Sequence, residues 1–202
     1  MNDKPLVVLA LDIAKWRTGW AIGSPGMNRP WWGTYANAQP WEKHEGKRLA
    51  AWNDFLAQKI EEHRVTYLAM ERLIVDMRDF SYDGTVPMAQ MHGQALFAAE
   101  KAGIKAGGVS IQAWRSHFLG TAQAPKFLAK GDGRTTWLKD AAMKKCAERG
   151  WLAQYHDEAE ALGIMDFALA CLDADYEQKI GPYVRRTELK AEVARFRGED
   201  AA

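Results

Sequence analysis

Residues 6–23 read LVVLALDIAKWRTGWAIG. Their first half, 6–12, is an unbroken apolar run of Leu, Val and Ala closed by a carboxylate, the pattern of a buried strand. RTGWAIG at 17–23 predicts a second strand after a short link. Ser24-Pro25-Gly26 marks a turn, and WWGTYA at 31–36 predicts a third strand. Three short strands on short links predict an antiparallel meander, with Asp12 at the end of its most apolar member.

Working outward, Leu49, Trp52, Leu56 and Ile60 follow the helical period and predict a helix over 42–63. VTYLAME at 65–71 predicts a fourth strand. Residues 72–86 mix charge, aromatics and Asp83-Gly84 and read as a long loop. A helix is expected from Pro87, a favoured first helical residue, to about 102, where Gly103 ends it. GVSIQ at 108–112 predicts a fifth strand, followed by a short helix over 113–119, a loop over 121–133 and a helix over 134–149. Gly150 stands where a C-terminal cap belongs. A last core helix is predicted over 157–173, and a charged tail helix over 183–197. This order defines an α/β fold with a mixed five-stranded sheet flanked by helices on both faces. Residues 1–176 form the domain and 177–202 a charged C-terminal tail.

The composition agrees with one globular domain. The 202 residues carry 27 Lys+Arg against 26 Asp+Glu, with 48% apolar and 26% charged residues, which excludes a disordered, collagen-like or coiled-coil chain. Cys146 and Cys171 form no CxxC pair, which argues against a disulfide framework or a cysteine-based zinc site and for a reducing cytoplasmic setting. The longest apolar run is too short to span a bilayer, and the N-terminus lacks the regions of a signal peptide. Gly107-Gly108 and Gly131-Asp132-Gly133 are loop signals without the lysine and hydroxyl of a phosphate loop.

Four carboxylates stand out. Asp12 and Glu71 each close an apolar strand, where a charge is costly unless it is paired or binds something. Sites in α/β sheets gather where strands end. Asp157 and Glu160 share one face of the last core helix at its first turns. Taken singly, a strand-end Asp is a turn residue and a helix-start acid is a cap. Brought together, the four would repel one another until a divalent cation joined them, and an all-oxygen set suits Mg²⁺ or Mn²⁺. Two such ions about 4 Å apart can activate water and stabilise a leaving oxygen in phosphodiester cleavage. Glu158 and Asp166, in the same segment, are assigned to solvent or salt bridges.

The balanced net charge hides a division. Residues 115–149 hold eight basic residues against three acidic ones, whereas 151–178 hold seven acidic residues and no basic one. An acidic site beside a basic strip is the layout needed to cut a polyanion, with phosphate contacts supplying most of the affinity. Arg115, Lys126, Lys130, Arg134 and Lys139 are the candidate DNA contacts. A solvated helix face is the plainer reading of the same run. The nine tryptophans are assigned to sheet and core packing. His92 is assigned a structural role. His156, preceding Asp157, is a candidate to support the metal shell.

The segments LALDIAKWRTGWAIG (9–23), YLAMER (67–72), QMHGQALFAAEKAG (90–103), QAWRSHFLG (112–120), GDGRTTWLKDAAMKKCAERGW (131–151) and HDEAEALGIMDFAL (156–169) together resemble a RuvC-type Holliday junction resolvase of the ribonuclease H-like fold, of the divergent phage and prophage group. They stand in that family's order over most of residues 5–173. The resemblance implies that Asp12, Glu71, Asp157 and Glu160 bind two Mg²⁺ ions, with Mn²⁺ as a substitute. It implies that Lys139 stabilises the scissile phosphate, that the substrate is a four-way or other branched DNA junction, and that the chain works as a homodimer. The sequence departs from the family pattern in three places. Glu160 stands where Asp is commoner, DIAKWRTGW replaces the usual DPG turn, and Ile74 replaces an aromatic three residues after the second acid. Phe80 or Tyr82 is a candidate to replace that aromatic. Two other readings remain open, a junction-binding protein that does not cut and a broader debranching nuclease. A sugar-kinase- or actin-like ATPase needs a longer chain and a second phosphate loop, and a proofreading exonuclease needs an acid where Ala14 stands.

Overall fold

The computed structural model describes residues 5–37, 44–74, 82–129, 131–173 and 175–176, without the side chains of Tyr82, Asp83 and Asp132. Strands β1 (Val8–Ile13), β2 (Arg17–Gly23), β3 (Trp31–Ala36), β4 (Tyr67–Glu71) and β5 (Lys105–Val109) form one sheet in the order β3-β2-β1-β4-β5. β1, β2 and β3 pair antiparallel, as the meander requires, while β4 joins β1 and β5 joins β4 in parallel. The helices are α1 (Glu45–Glu62), α2 (Tyr82–Lys101), α3 (Ile111–Leu119), α4 (Asp132–Glu148) and α5 (His156–Leu172). The expected mixed five-stranded sheet is present. The tail over 177–202 lies outside the described residues.

Alternation along the strands divides the core in two. Leu9, Leu11, Ile13, Ile22, Leu68 and Met70 pack with Trp52, Leu56 and Ile60 of α1 and Met91 and Ala95 of α2. Val8, Ala10, Ala21, Tyr67, Ala69 and Val109 pack on the other face with Trp114 and Phe118 of α3, Ala142 and Cys146 of α4, and α5. Side chains two apart on a strand share a face, so Asp12 follows Val8 and Ala10 toward α5. Glu71 follows Tyr67 and Ala69 the same way. Ala10 pairs with Ala69 and Leu11 with Met70. One further step of that register sets Asp12 beside Glu71.

α5 is buried from Asp157 to Cys171. A helix covered all round needs an apolar surface all round, and its Ala, Leu, Ile, Met and Phe residues supply it. Small residues let it settle onto the sheet and under α3. A Cβ on Gly19 would lie 1.9 Å from the Asp157 carbonyl oxygen, and one on Gly163 would lie 2.8 Å from the Trp114 ring. Beyond the acids of its first turns, the polar exception within the buried helix is Asp166. Its carboxylate accepts hydrogen bonds from His117 Nε2 at 2.9 Å, from Tyr176 Oη at 2.8 Å and from Arg149. Burial alone would push this carboxyl up, but the hydrogen bond and charge of His117, with Arg149, outweigh it and hold the group below its ordinary value. Asp166 therefore serves in a buried ion-pair network. Glu158 instead accepts the backbone N–H groups of Gln154 at 2.7 Å and Tyr155 at 3.4 Å, capping α5.

Four sequence expectations need correction. The fifth strand ends at Val109, because Ser110 caps α3 and Ile111 and Gln112 are already helical. The apparent loop signal Gly107-Gly108 lies within that strand, where Met70 and Ala69 pair with it. α2 begins at Tyr82, so Pro87 is inside the helix and the connection after β4 is shorter than expected. α3 begins two residues early for the same reason that β5 ends early.

Gly19→Ala forces the start of α5 away from β2. The expected cost is about 1–3 kcal/mol, within the range for overpacking a filled interior. A lowered urea midpoint at unchanged slope will register it, and a wild-type midpoint would show that α5 can move without loss.

Candidate active site

Asp12 comes from β1, Glu71 from the end of β4, and Asp157 and Glu160 from the first turns of α5. Asp12, Asp157 and Glu160 each offer a carboxylate oxygen within 4.8 Å of the other two. Asp157 and Glu160 are buried, whereas Asp12 and Glu71 are partly exposed. Glu71 stands beside this trio. Its Oε2 accepts the indole N–H of buried Trp114 at 2.9 Å, which meets the requirement of that buried N–H. His92 braces the same strand end, with Nε2 3.0 Å from the Glu71 carbonyl oxygen and Nδ1 2.8 Å from that of Met88.

Burial raises the Asp12 carboxyl well above its ordinary value, and the negative charges of Glu160, Glu71 and Asp157 raise it further against the opposing pull of Lys139. Burial likewise raises Glu71, together with Glu160, while the Trp114 hydrogen bond, Arg115 and Lys139 oppose it. Three cations approach the cluster among the described residues. Arg17 Nε donates to Asp157 Oδ2 at 2.7 Å, Arg115 Nη2 donates to Glu160 Oε1 at 2.8 Å, and Lys139 Nζ lies 3.8 Å from Glu160 Oε2. Three cations face four carboxyl groups, so one acid of the cluster is left without a counter-ion of its own. Carboxylate oxygens alone, closely grouped and still repelling, are the donor set of a hard divalent ion. Asp12, Asp157 and Glu160 fit that role directly, with Glu71 adjoining.

The sequence candidates divide as follows. The structure brings Asp12, Asp157 and Glu160 together, with Glu71 and Lys139 beside them. Arg115 is a mostly buried counter-ion of Glu160. Arg134 donates from Nε to the Leu128 carbonyl at 3.1 Å and from Nη2 to the Lys126 carbonyl at 3.0 Å, holding the preceding loop to α4. Lys126 is exposed. Lys130, Phe80 and the Tyr82 side chain lie outside the described residues. The basic stretch forms no single strip, because Arg149 turns inward to Asp166. His156 pairs with Asp140 at 3.1 Å instead of joining the acids. A cavity of about 260 Å³ opens beside Glu71, lined in part by Ile13, Arg72, Ile74, Met88 and His92.

Sequence reasoning passed over Arg17 and Trp114. Arg17 shares the face of Gly19, Ala21 and Gly23, so its alternation already aimed it at α5. For Trp114 the only signal was the general need of a buried indole for an acceptor.

No family model matches the sequence, and no curated protein matches it. Solved structures do match. The RuvC structure of Thermus thermophilus aligns with a TM-score of 0.60 at 15% identity, covering 87% of this chain and 97% of that one. The T. thermophilus RuvC structure in complex with a Holliday junction substrate aligns with a TM-score of 0.59 at 12% identity, covering 87% and 96%. The chain thus has the ribonuclease H-like α/β fold in the form found in RuvC, as the sequence motifs implied. Among the described residues no helix is long and apolar enough to cross a membrane.

A raised carboxyl binds its proton more tightly folded than unfolded. Its favourable contribution is complete below the ordinary value of 3.8 and is lost as pH rises through the higher folded value. Asp12→Asn, always neutral, therefore melts above the wild type near pH 7.5 without divalent ions, by roughly 2–4 °C in a chain of this size. The gap narrows as pH is lowered through the raised folded value. Identical melting curves across that range would mean that the folded protein does not hold the Asp12 carboxyl above its ordinary value.

Proposed function

We propose that this chain is a metal-dependent endonuclease that resolves four-way or other branched DNA junctions. The observation that carries the reading is the convergence of Asp12, Asp157 and Glu160 within 4.8 Å on a RuvC-like fold. Asp12, Asp157 and Glu160 would hold divalent ions, with Glu71 completing the set, and Mg²⁺ is the proposed metal with Mn²⁺ as a substitute. When bound, a pair of such ions supplies activation of water and stabilisation of the leaving oxygen in an in-line displacement. The protein groups do the positioning. Trp114 fixes one oxygen of Glu71, Arg115 fixes one oxygen of Glu160, and Asp12 holds the centre of the group.

Lys139 is the proposed catalytic cation. Its ammonium faces Glu160 and is partly exposed, so it can meet a phosphate oxygen approaching the acids. Exposed Lys126, together with Lys130, is proposed to contact the DNA backbone. Such contacts give salt-dependent affinity with little sequence preference. A homodimer is proposed because a four-way junction offers two equivalent cleavage points. Leu96 and Phe97, both about half exposed on α2, are apolar surface available to a second copy. The working compartment is proposed to be the cytoplasm.

The test is cleavage of an end-labelled synthetic four-way junction with Mg²⁺, with linear duplex, flap and Y-shaped DNA alongside. Paired symmetric nicks in the junction are expected. Asp12→Asn is expected to abolish them while junction binding persists, since the substitution removes repulsion toward phosphate. Equal cutting of all branched forms would make the chain a debranching nuclease, and binding without cutting would make it a junction-binding protein. Wild-type cleavage by Asp12→Asn would overturn the site itself.

Lys139→Ala is expected to slow turnover about 100-fold, the scale for losing one charge-stabilising donor. Its effect on junction affinity should be much smaller. An unchanged single-turnover rate would assign the phosphate contact to another cation.

A further inference from the structure

The two arginines at the acid cluster are held differently. Arg115 is nearly covered, with its side chain 12% exposed and its Nε buried without a hydrogen-bond partner. It has no solvent-facing alternative to Glu160. Arg17 lies at the mouth of the site at the start of β2, with 40% of its side chain exposed. Its guanidinium carbon stands 4.2 Å from the centre of the Tyr155 ring, so it has a second resting surface beside the acid. A cation stacked on an exposed aromatic keeps part of its stabilisation while its N–H groups turn to water. Asp157, by contrast, is fixed by the capped start of α5 and by the close approach of Gly19. Of the pair, only the arginine is free to move.

We propose that Arg17 is a displaceable counter-ion of Asp157, which a divalent cation replaces when it enters the acid cluster. Arg17 thereby sets the metal concentration at which the site loads. This rests on the metal-site reading above. Removing the competitor raises metal affinity, because the ion no longer has to break a charge-assisted hydrogen bond at Asp157. Arg115 stays on Glu160 Oε1 throughout, which leaves Oε2, with Lys139 Nζ 3.8 Å away, as the oxygen that faces the ion.

The experiment has two measurements and requires no cleavage. The first is Mn²⁺ binding by calorimetry to the full chain and to Arg17→Gln, without DNA. The expected result is an affinity about three- to tenfold tighter in the variant, the scale of one partly exposed ion pair. The second follows the arginine Nε–H resonances of the unaltered chain by NMR during Mg²⁺ titration. The Arg17 signal is expected to move and lose protection from exchange as the ion binds, while the Arg115 signal holds. An Arg17 signal unmoved at saturating Mg²⁺, or weaker Mn²⁺ binding by Arg17→Gln, overturns the inference and leaves the metal site standing, with Arg17 as a fixed support of Asp157. No Mn²⁺ binding by the unaltered chain overturns the metal site, and the inference falls with it.

Discussion

Everything in the site depends on how closely the N-terminal end of α5 approaches the backbone of β2. The carbonyl oxygen of Asp157 lies where a side chain on Gly19 would begin. Only a residue without a Cβ permits that approach. The contact places Asp157 and Glu160 over the sheet, where the alternation of β1 and β4 has already turned Asp12 and Glu71 toward them. Burial along the rest of α5 makes the placement rigid, because Gly163 is seated against Trp114 and Gly23 lies under Met165. A helix so thoroughly enclosed cannot shift one end without disturbing the whole layer beneath α3 and α4.

That rigidity has an electrostatic cost. Carboxylates held close by packing cannot relax apart, so their repulsion adds to burial in raising the Asp12 and Glu71 carboxyls. The fold partly answers it from α3, whose neighbours Trp114 and Arg115 reach Glu71 and Glu160 respectively. Three residues along, His117 reaches Asp166. One short helix thus orients acids at two levels of α5. The difference between the levels is instructive. Asp166 is matched by His117, Arg149 and Tyr176 and is stable as a charged group, whereas the cluster at the mouth remains undercompensated. A closed network stabilises a core, and an open one leaves room for a cation.

The strands of the meander, the helical period of α1 and the apolar run of α5 were all legible, because each carries its periodicity within a few residues. The errors fell where local preference and pairing disagree. Gly107 and Gly108 look like a loop, yet they are strand because β4 offers a ladder to pair with. Val109 and Ile111 look like one strand, yet Ser110 separates strand from helix. Pro87 looks like a helix start, yet the helix begins earlier. Among the candidate site residues, the four acids were legible from their positions at the ends of apolar elements. Apart from Lys139, the basic residues were not, because positive charges in sequence do not reveal which face inward. Arg149 and Arg115 became counter-ions of buried acids, and Arg134 became a clamp on its own loop.

By itself, then, the sequence determined the alternation that aims Asp12 and Glu71 at one face of the sheet and the helical spacing that sets Asp157 one turn from Glu160. These are properties of a strand and a helix and need no knowledge of what packs against them. Only the tertiary structure decided that the two faces meet, which oxygen of each acid is already engaged, and which cations are locked and which exposed. Those outcomes depend on distances of a few ångströms between residues more than a hundred positions apart, such as Arg17 and Asp157. They are set by how closely Gly19 and Gly163 let the layers approach, and periodicity along the chain carries no measure of that distance.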